Sequence, residues 1–330
     1  MKDLIKKVTE AFGPSGAEDS VREVIRKEVE PYVDEISVDA LGNLIAHKKG
    51  TGGKKIILDG HMDEIGLMVT HIDDKGFLRF GNIGGVNPFV ALGQRVYFEN
   101  GTMGVIGSER VDDPKDLKLE KLFIDIGAKD KEEAEGKVSV GTSCAFYQPF
   151  VDLGDRVIAK AMDDRVACAI IIEVLKRLEN TANDIYAVFA TQEEVGLRGA
   201  RAAAYGISPD VGIALDVTRT GDTPKSRTMD VSLGNGAAIK VKDSSLICHP
   251  ALKNYMVKVA KEKGIKYQME VLEAGGTDSA AIQMTKSGIP AGCISIPCRY
   301  IHSPCEMVDM GDVEACVQLA KALCESTLEF

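Results

Sequence analysis

Downstream of residue 160 the chain alternates apolar strand runs with amphipathic helical stripes, and that alternation constrains the fold more than any other feature. Residues 164–178 carry the helical stripe Val166, Ile170, Ile171, Val174 and Leu178, and a strand run at 185–190 follows. The pattern continues with a helix at 198–205, strands at 211–216 and 237–241, a helix at 250–261, a strand at 267–271, a helix at 279–285 and a strand at 291–296. Such alternation predicts a three-layer α/β/α domain around a largely parallel sheet. Residues 1–66 join it. They hold two helical stripes (Leu4, Ile5, Val8, Phe12, then Val21, Val24, Ile25, Val29), a hairpin turning at 40–42, and an apolar strand at 55–59 that needs sheet partners. Residues 67–156 differ in texture, with short glycine-punctuated β runs at 76–80, 94–98, 104–107 and 122–126 and one short helical stretch near 132–135. They predict a small β barrel or sandwich inserted into the α/β domain, which resumes over 157–330.

Composition narrows the class of function. Fifty acidic residues against 40 basic ones give a formal charge of −10, which argues against a nucleic-acid partner because that needs a basic face. The longest uninterrupted apolar stretch, 166–172, is far short of the roughly 20 residues a membrane helix needs. The N-terminal segment interleaves charged and apolar residues and lacks the apolar core of a signal peptide. Eight cysteines without a C-x-x-C pair predict reduced, mostly buried thiols in a cytoplasmic protein.

In open α/β sheets, functional groups gather at the carboxyl ends of strands. Five such ends, or the turns after them, hold metal-type ligands: His61 with Asp63, Asp163 with Asp164, Glu193 with Glu194, Asp216, and His302. Singly, each reads as an ordinary surface or capping residue. Jointly, the two imidazoles and three carboxylates of His61, Asp163, Glu194, Asp216 and His302 suit two divalent cations that share one bridging carboxylate. Asp63, two residues beyond His61, is near enough to accept the second imidazole N–H. Neighbours on an extended segment point opposite ways, so one of Glu193 and Glu194 binds metal while the other, Glu193, is left for proton transfer. Mixed imidazole and carboxylate donors accept Zn2+, Co2+ or Mn2+.

The runs Asp59-Gly60-His61-Met62-Asp63, Ala161-Met162-Asp163-Asp164-Arg165, Gln192-Glu193-Glu194-Val195-Gly196, Leu215-Asp216-Val217-Thr218, Gly275-Gly276-Thr277-Asp278 and Arg299-Tyr300-Ile301-His302-Ser303-Pro304 closely resemble the tetrahedral, or deblocking, aminopeptidases. These are cocatalytic metallopeptidases of glutamyl/leucyl aminopeptidase type, some of them labelled cellulase M or endoglucanase. The resemblance spans essentially the whole chain. It implies a phosphorylase/hydrolase-like catalytic domain whose inserted, PDZ-like β barrel builds dimers and then a hollow homododecamer. It also implies that Asp163 bridges the metals, with His61 and Asp216 completing one site and Glu194 and His302 the other. Glu193 matches the family's general base, Asp63 the carboxylate behind the first histidine, and Gly276 and Thr277 the loop beside the substrate. The peptide bond between Asp163 and Asp164 is expected to be cis. The implied reaction removes N-terminal amino acids one at a time from short peptides with a free N-terminus, by attack of a metal-bridging hydroxide.

The rival reading is an endo-β-glucanase, which would use two carboxylates and no metal. Sugar sites favour broad aromatic platforms, and this chain has no Trp and only 5% aromatic residues. His47 and His71 read as surface or turn residues without acidic partners at ligand spacing, His249-Pro250 as a helix start, and Cys298 and Cys305 as buried inert thiols. No concentration of Arg or Lys near Arg198, Arg219 or the Gly275 loop demands an acidic substrate side chain, so neutral aliphatic N-terminal residues are expected.

Overall fold

A computed structural model describes residues 1–329. The chain opens with helices α1 (Lys2–Glu10) and α2 (Asp19–Val29), then strands β1 (Glu35–Val38), β2 (Leu44–Lys48) and β3 (Lys55–His61). Six strands follow: β4 (Gly66–Ile72), β5 (Leu78–Ile83), β6 (Arg95–Phe98), β7 (Met103–Ser108), β8 (Leu122–Asp125) and β9 (Ser143–Phe146), with short helices α3 (Pro88–Ala91) and α4 (Lys131–Glu135) between them. The remainder runs β10 (Val151–Asp152), β11 (Arg156–Ala159), α5 (Met162–Arg177), β12 (Asp184–Ala190), α6 (Arg198–Ile207), β13 (Val211–Thr218) and β14 (Ala237–Lys242). It closes with α7 (Pro250–Lys263), β15 (Tyr267–Val271), α8 (Asp278–Gln283), β16 (Ala291–Arg299), β17 (Glu306–Asp309) and α9 (Met310–Glu325).

β4 to β9 close into an antiparallel barrel in the order β4-β5-β8-β7-β6-β9, around a core of its own that includes Leu67, Val96, Phe98 and Ile124. All other strands form one sheet, ordered β1-β2-β12-β3-β13-β16-β17-β11-β10, with β14 also on β16 and β15 on β14. Its centre, β12-β3-β13-β16, is parallel. β2 and β17 pair antiparallel at either side of that centre. The barrel strands lie within 66–146, and Val151 already pairs in the large sheet.

The alternation of a strand's side chains builds the layers. On β3, Ile56 and Leu58 join the core formed with α1, α2, α5, α7 and α9, whereas Ile57 joins a smaller core with α6 and α8. Strands covered on both faces need continuous apolar runs, which is why β13 and most of β16 are buried throughout. α9 escapes sequence reading because alanine and cysteine (Ala315, Cys316, Ala320, Cys324) carry much of its buried face and leave little hydropathy contrast. Among the described residues no helix is long and apolar enough to cross a membrane.

One buried cation joins the N-terminus to the sheet. Arg165 is fully buried, and its guanidinium donates to the carbonyls of Val8 (2.7 Å), Ala11 (3.1 Å), Gly13 (3.1 Å) and Met62, and to Glu64 (3.3 Å). Glu64 in turn holds Lys160 at 2.8 Å, so the segments leading to His61 and to Asp163 are locked together beneath the site.

Candidate metal centre

The parallel centre of the sheet brings the predicted ligands to one edge. His61 ends β3, Glu193 and Glu194 follow β12, Asp216 lies near the end of β13, and His302 follows β16. Asp163 and Asp164 open α5 across a cis peptide bond, with non-helical backbone at both residues. Ala161, Gln192, Leu197, Tyr300 and His302, all beside these residues, adopt left-handed φ values between +53° and +63°. Non-glycine residues rarely do so, and they concentrate where a site dictates the backbone.

Two clusters result. His61, Asp164 and Asp216 can converge donor atoms within 4.8 Å of one another, and so can Asp163, Glu194 and His302. Asp163 stands between them, with one carboxylate oxygen 3.1 Å from His61 Nε2 and the other 3.3 Å from His302 Nε2. His302 Nε2 is also 3.3 Å from Glu194, and Glu193 lies 3.8 Å from His61 Nε2. The geometry thus brings Asp164, named among the metal-type residues of the sequence but not among the five assigned to the cations, into the first cluster. His61 Nδ1 sits 3.2 Å from the Asp63 carbonyl and 3.4 Å from its carboxylate. That carboxylate also accepts from Ser15 (2.6 Å) and from the backbone N–H groups of Glu193 (3.0 Å) and Glu194 (3.3 Å), so Asp63 holds the glutamate loop as well as the imidazole.

The electrostatics describe a pocket with surplus negative charge. Burial pushes the carboxyls of Asp164, Glu193 and Asp216 well above the usual range, with neighbouring carboxylates adding to the shift: Asp216 for Asp164 and Glu193, Asp163 for Asp216. Burial opposes the ionised form of Asp163 too, but the two histidines outweigh it and hold this carboxyl below its usual value. Burial likewise opposes charging of His302, yet Asp163 and Glu194 push it up to about 11. Both oxygens of Asp164 are buried without a hydrogen bond among the described residues. Unpaired carboxylates, facing imidazoles and each other, form a donor set that fits divalent cations.

A cavity of about 330 Å³ opens onto the clusters. Leu197, Val217, Leu272, Ala274 and Ile301 give it apolar walls; among the described residues Arg219 is its one Arg or Lys lining residue, and no Phe or Tyr lines it. Gly276 lines this cavity, whereas Thr277 is buried beneath it as the N-cap position of α8, and its hydroxyl makes no hydrogen bond among the described residues.

Several contributors were invisible to sequence reasoning. A side chain at Gly85 would come within 2.6 Å of the His302 ring and one at Gly84 within 3.0 Å of Glu194, so the segment after β5 packs on the second cluster. Glu306 accepts from the backbone N–H groups of Asp163 (3.0 Å) and His302 (2.7 Å). Asp59 and Asp278 are buried close behind His61. Two expectations need correction. His47 has acidic partners from across the sheet, lying 3.0 Å from Asp184 and stacked on Tyr186. Cys305 is exposed, because it sits at the tip of the turn between His302 and Glu306. Cys298 is buried and His249 caps α7, as expected.

Glu18 supplies a pH dependence. Its Oε1 accepts from the N–H groups of Gly16 (2.8 Å) and Gln192 (3.2 Å), while burial, with repulsion from Asp63, pushes the carboxyl from 4.5 up to about 7. The folded chain holds this proton more tightly than the unfolded one, so Glu18's contribution to stability is present below about pH 4.5 and is lost as the pH rises through about 7. Glu18→Gln keeps the accepting oxygen and removes the charge. It should raise stability near pH 8 by about 1–3 kcal/mol and change little near pH 4. Urea unfolding at the two pH values checks this, and an equal effect at both would contradict it.

A layered α/β scaffold, a β barrel and paired imidazole–carboxylate clusters at the parallel strand ends define a protein built around a candidate two-cation site. The chain belongs to the M42 glutamyl aminopeptidase family, which matches residues 42–319, and it is a hydrolase acting as an aminopeptidase. It is 53% identical over 326 residues to a protein of Acetivibrio thermocellus, with 98% of each chain covered. It is 36% identical to the lysyl aminopeptidase of Pyrococcus furiosus, covering 98% of this chain and 96% of that one. Among solved structures, the aminopeptidase APDkam598 from Desulfurococcus kamchatkensis superposes with a TM-score of 0.95 at 43% identity, covering 98% and 94%. Two further solved neighbours are PhTET1-12s, described as a dodecamer (TM-score 0.90, 35% identity, 98% of each chain), and a Thermotoga maritima protein described as an endoglucanase (0.84, 34%, 97% and 96%).

Proposed function

We propose that the chain is a dinuclear metal aminopeptidase of the cytoplasm, in which His61, Asp163 and Asp216 would hold one cation and Asp163, Glu194 and His302 another. The observation that carries this reading is the placement of Asp163, with one oxygen toward each imidazole. Zn2+ or Co2+, with Mn2+ as a further candidate, would supply Lewis acidity there and lower the pKa of bound water. Glu193 is the general base. Its carboxylate sits beside His61 at the cavity wall, takes a proton from the attacking water, and returns it to the leaving amine. Asp63 positions His61 and the Glu193 loop together.

The substrate is a short peptide with a free N-terminus, whose ammonium is matched by the surplus carboxylates of the cavity. The apolar walls favour neutral aliphatic side chains, with Gly276 beside them. The inserted barrel, whose strands lie within 66–146, is the self-association domain, and assembly to a homododecamer is supported by the solved neighbour described as a dodecamer. No nucleic acid or membrane is a partner. Against endo-β-glucanase activity stands a cavity without an aromatic platform in a chain without Trp. Release of chromophore from amino-acid anilides should cease on chelation and return with added Zn2+ or Co2+, and cellulose should yield no sugar. Sugar release that survives chelation would overturn the reading.

A further inference from the structure

β17 lies between two strands whose exits carry proposed ligands. It pairs with β11, with Glu306 opposite Ala159 at the end that leads to Asp163. It also pairs with β16, which leads to His302. Glu306, the first residue of β17, therefore stands where the two exits meet. It is buried, and its two oxygens are divided: Oε2 accepts from the backbone N–H of Asp163 at 3.0 Å, and Oε1 from that of His302 at 2.7 Å. Both recipients have unusual backbones. His302 has a φ of +62°, a left-handed conformation that an L-residue rarely adopts, and Asp163 is non-helical within α5. A hydrogen bond from each N–H to a separate oxygen of one side chain gives these conformations a fixed anchor.

We propose that Glu306 is the positioning residue of the second cluster, setting Asp163 and His302 through their backbones so that their side chains meet Glu194. The proposal rests on the two-cation reading above. His61, Asp164 and Asp216 receive no bond from Glu306, so its influence on the first cluster passes only through Asp163. One carboxylate thus couples the strand exits that form the second cation site and leaves the first largely to its own ligands.

The test is titration of the metal-free, full-length protein with Co2+, followed by calorimetry and by Co2+ absorption, for wild type, Glu306→Gln and Glu306→Ala. Gln is isosteric but offers one accepting oxygen and turns an NH2 toward the other N–H, while Ala offers none. Wild type should take up two Co2+ per chain. Each variant should bind one about 10- to 100-fold more weakly and lose far less affinity for the other, with Ala at least as weak as Gln. Thermal unfolding of the metal-free forms separates this from a purely structural role, which would lower the cation-free midpoint and weaken both sites alike. Two sites of unchanged affinity in Glu306→Ala, or equal weakening of both, would overturn the assignment while leaving the two-cation reading in place. A wild type that takes up fewer than two Co2+ would overturn that reading first, and the assignment with it.

Discussion

Glu193→Gln is expected to lower kcat/KM for peptide hydrolysis by about 10²- to 10⁴-fold while leaving cation uptake nearly unchanged. Gln has the shape of Glu but cannot take a proton from water at neutral pH. The backbone N–H of residue 193 keeps its bond to Asp63, so the loop holds its course. The closest charged partner of the side chain is His61 at 3.8 Å, beyond hydrogen-bond reach, so little folding energy is lost. The reduction should fall on kcat rather than KM, because the proton is moved in the transition state and not in binding. Steady-state kinetics on one anilide, with metal content measured on the same samples, checks this. A variant retaining more than about a tenth of wild-type kcat would remove Glu193 from the chemistry.

Acetylation of the substrate's N-terminus is expected to have an effect as large. The cavity presents Asp163, Glu193, Glu194 and Asp216 toward the space a peptide end would occupy, and burial already disfavours charge on most of them. A free amine supplies hydrogen-bond donors to that wall. An acetyl group removes the basic nitrogen, adds bulk, and leaves the wall's acceptors unpaired. Sites that hydrogen-bond a substrate group reject the analogue lacking it by about 10⁴-fold, and a loss of that order is predicted here. Asp63→Asn would not imitate it, since Asp63 is buried behind His61 and does not line the cavity.

Much of this site is legible in the sequence because each proposed ligand follows an apolar run that can only be a buried strand or helix. His61 closes Ile56-Ile57-Leu58, Asp216 closes Ile213-Ala214-Leu215, and Glu193 and Glu194 follow Val188-Phe189-Ala190. Strand ends in a parallel sheet share one edge, so the residue types and the fold class together imply a meeting point. What stayed hidden acts through groups that carry no sequence signal. Glu306 works on backbone N–H groups, although it stands only four residues after His302. Gly84 and Gly85 matter for the side chains they lack, and the barrel they leave looks self-contained in sequence. Asp164 reads as an ordinary neighbour of Asp163 until the backbone turns its carboxylate toward His61 and Asp216. His47 finds Asp184 only because β2 pairs with β12, a register set by strands far apart in the chain.

The central claim is exopeptidase chemistry at a cation-dependent site, and mass spectrometry of a short aliphatic peptide beside its N-acetylated twin tests it most directly. Each would be incubated with protein carrying Zn2+ or Co2+ and with chelated protein. The account predicts a ladder of products shortened one residue at a time from the free N-terminus with cation present, no ladder after chelation, and an intact acetylated twin throughout. Internal cleavage, or loss of residues from the acetylated peptide at a comparable rate, would contradict it.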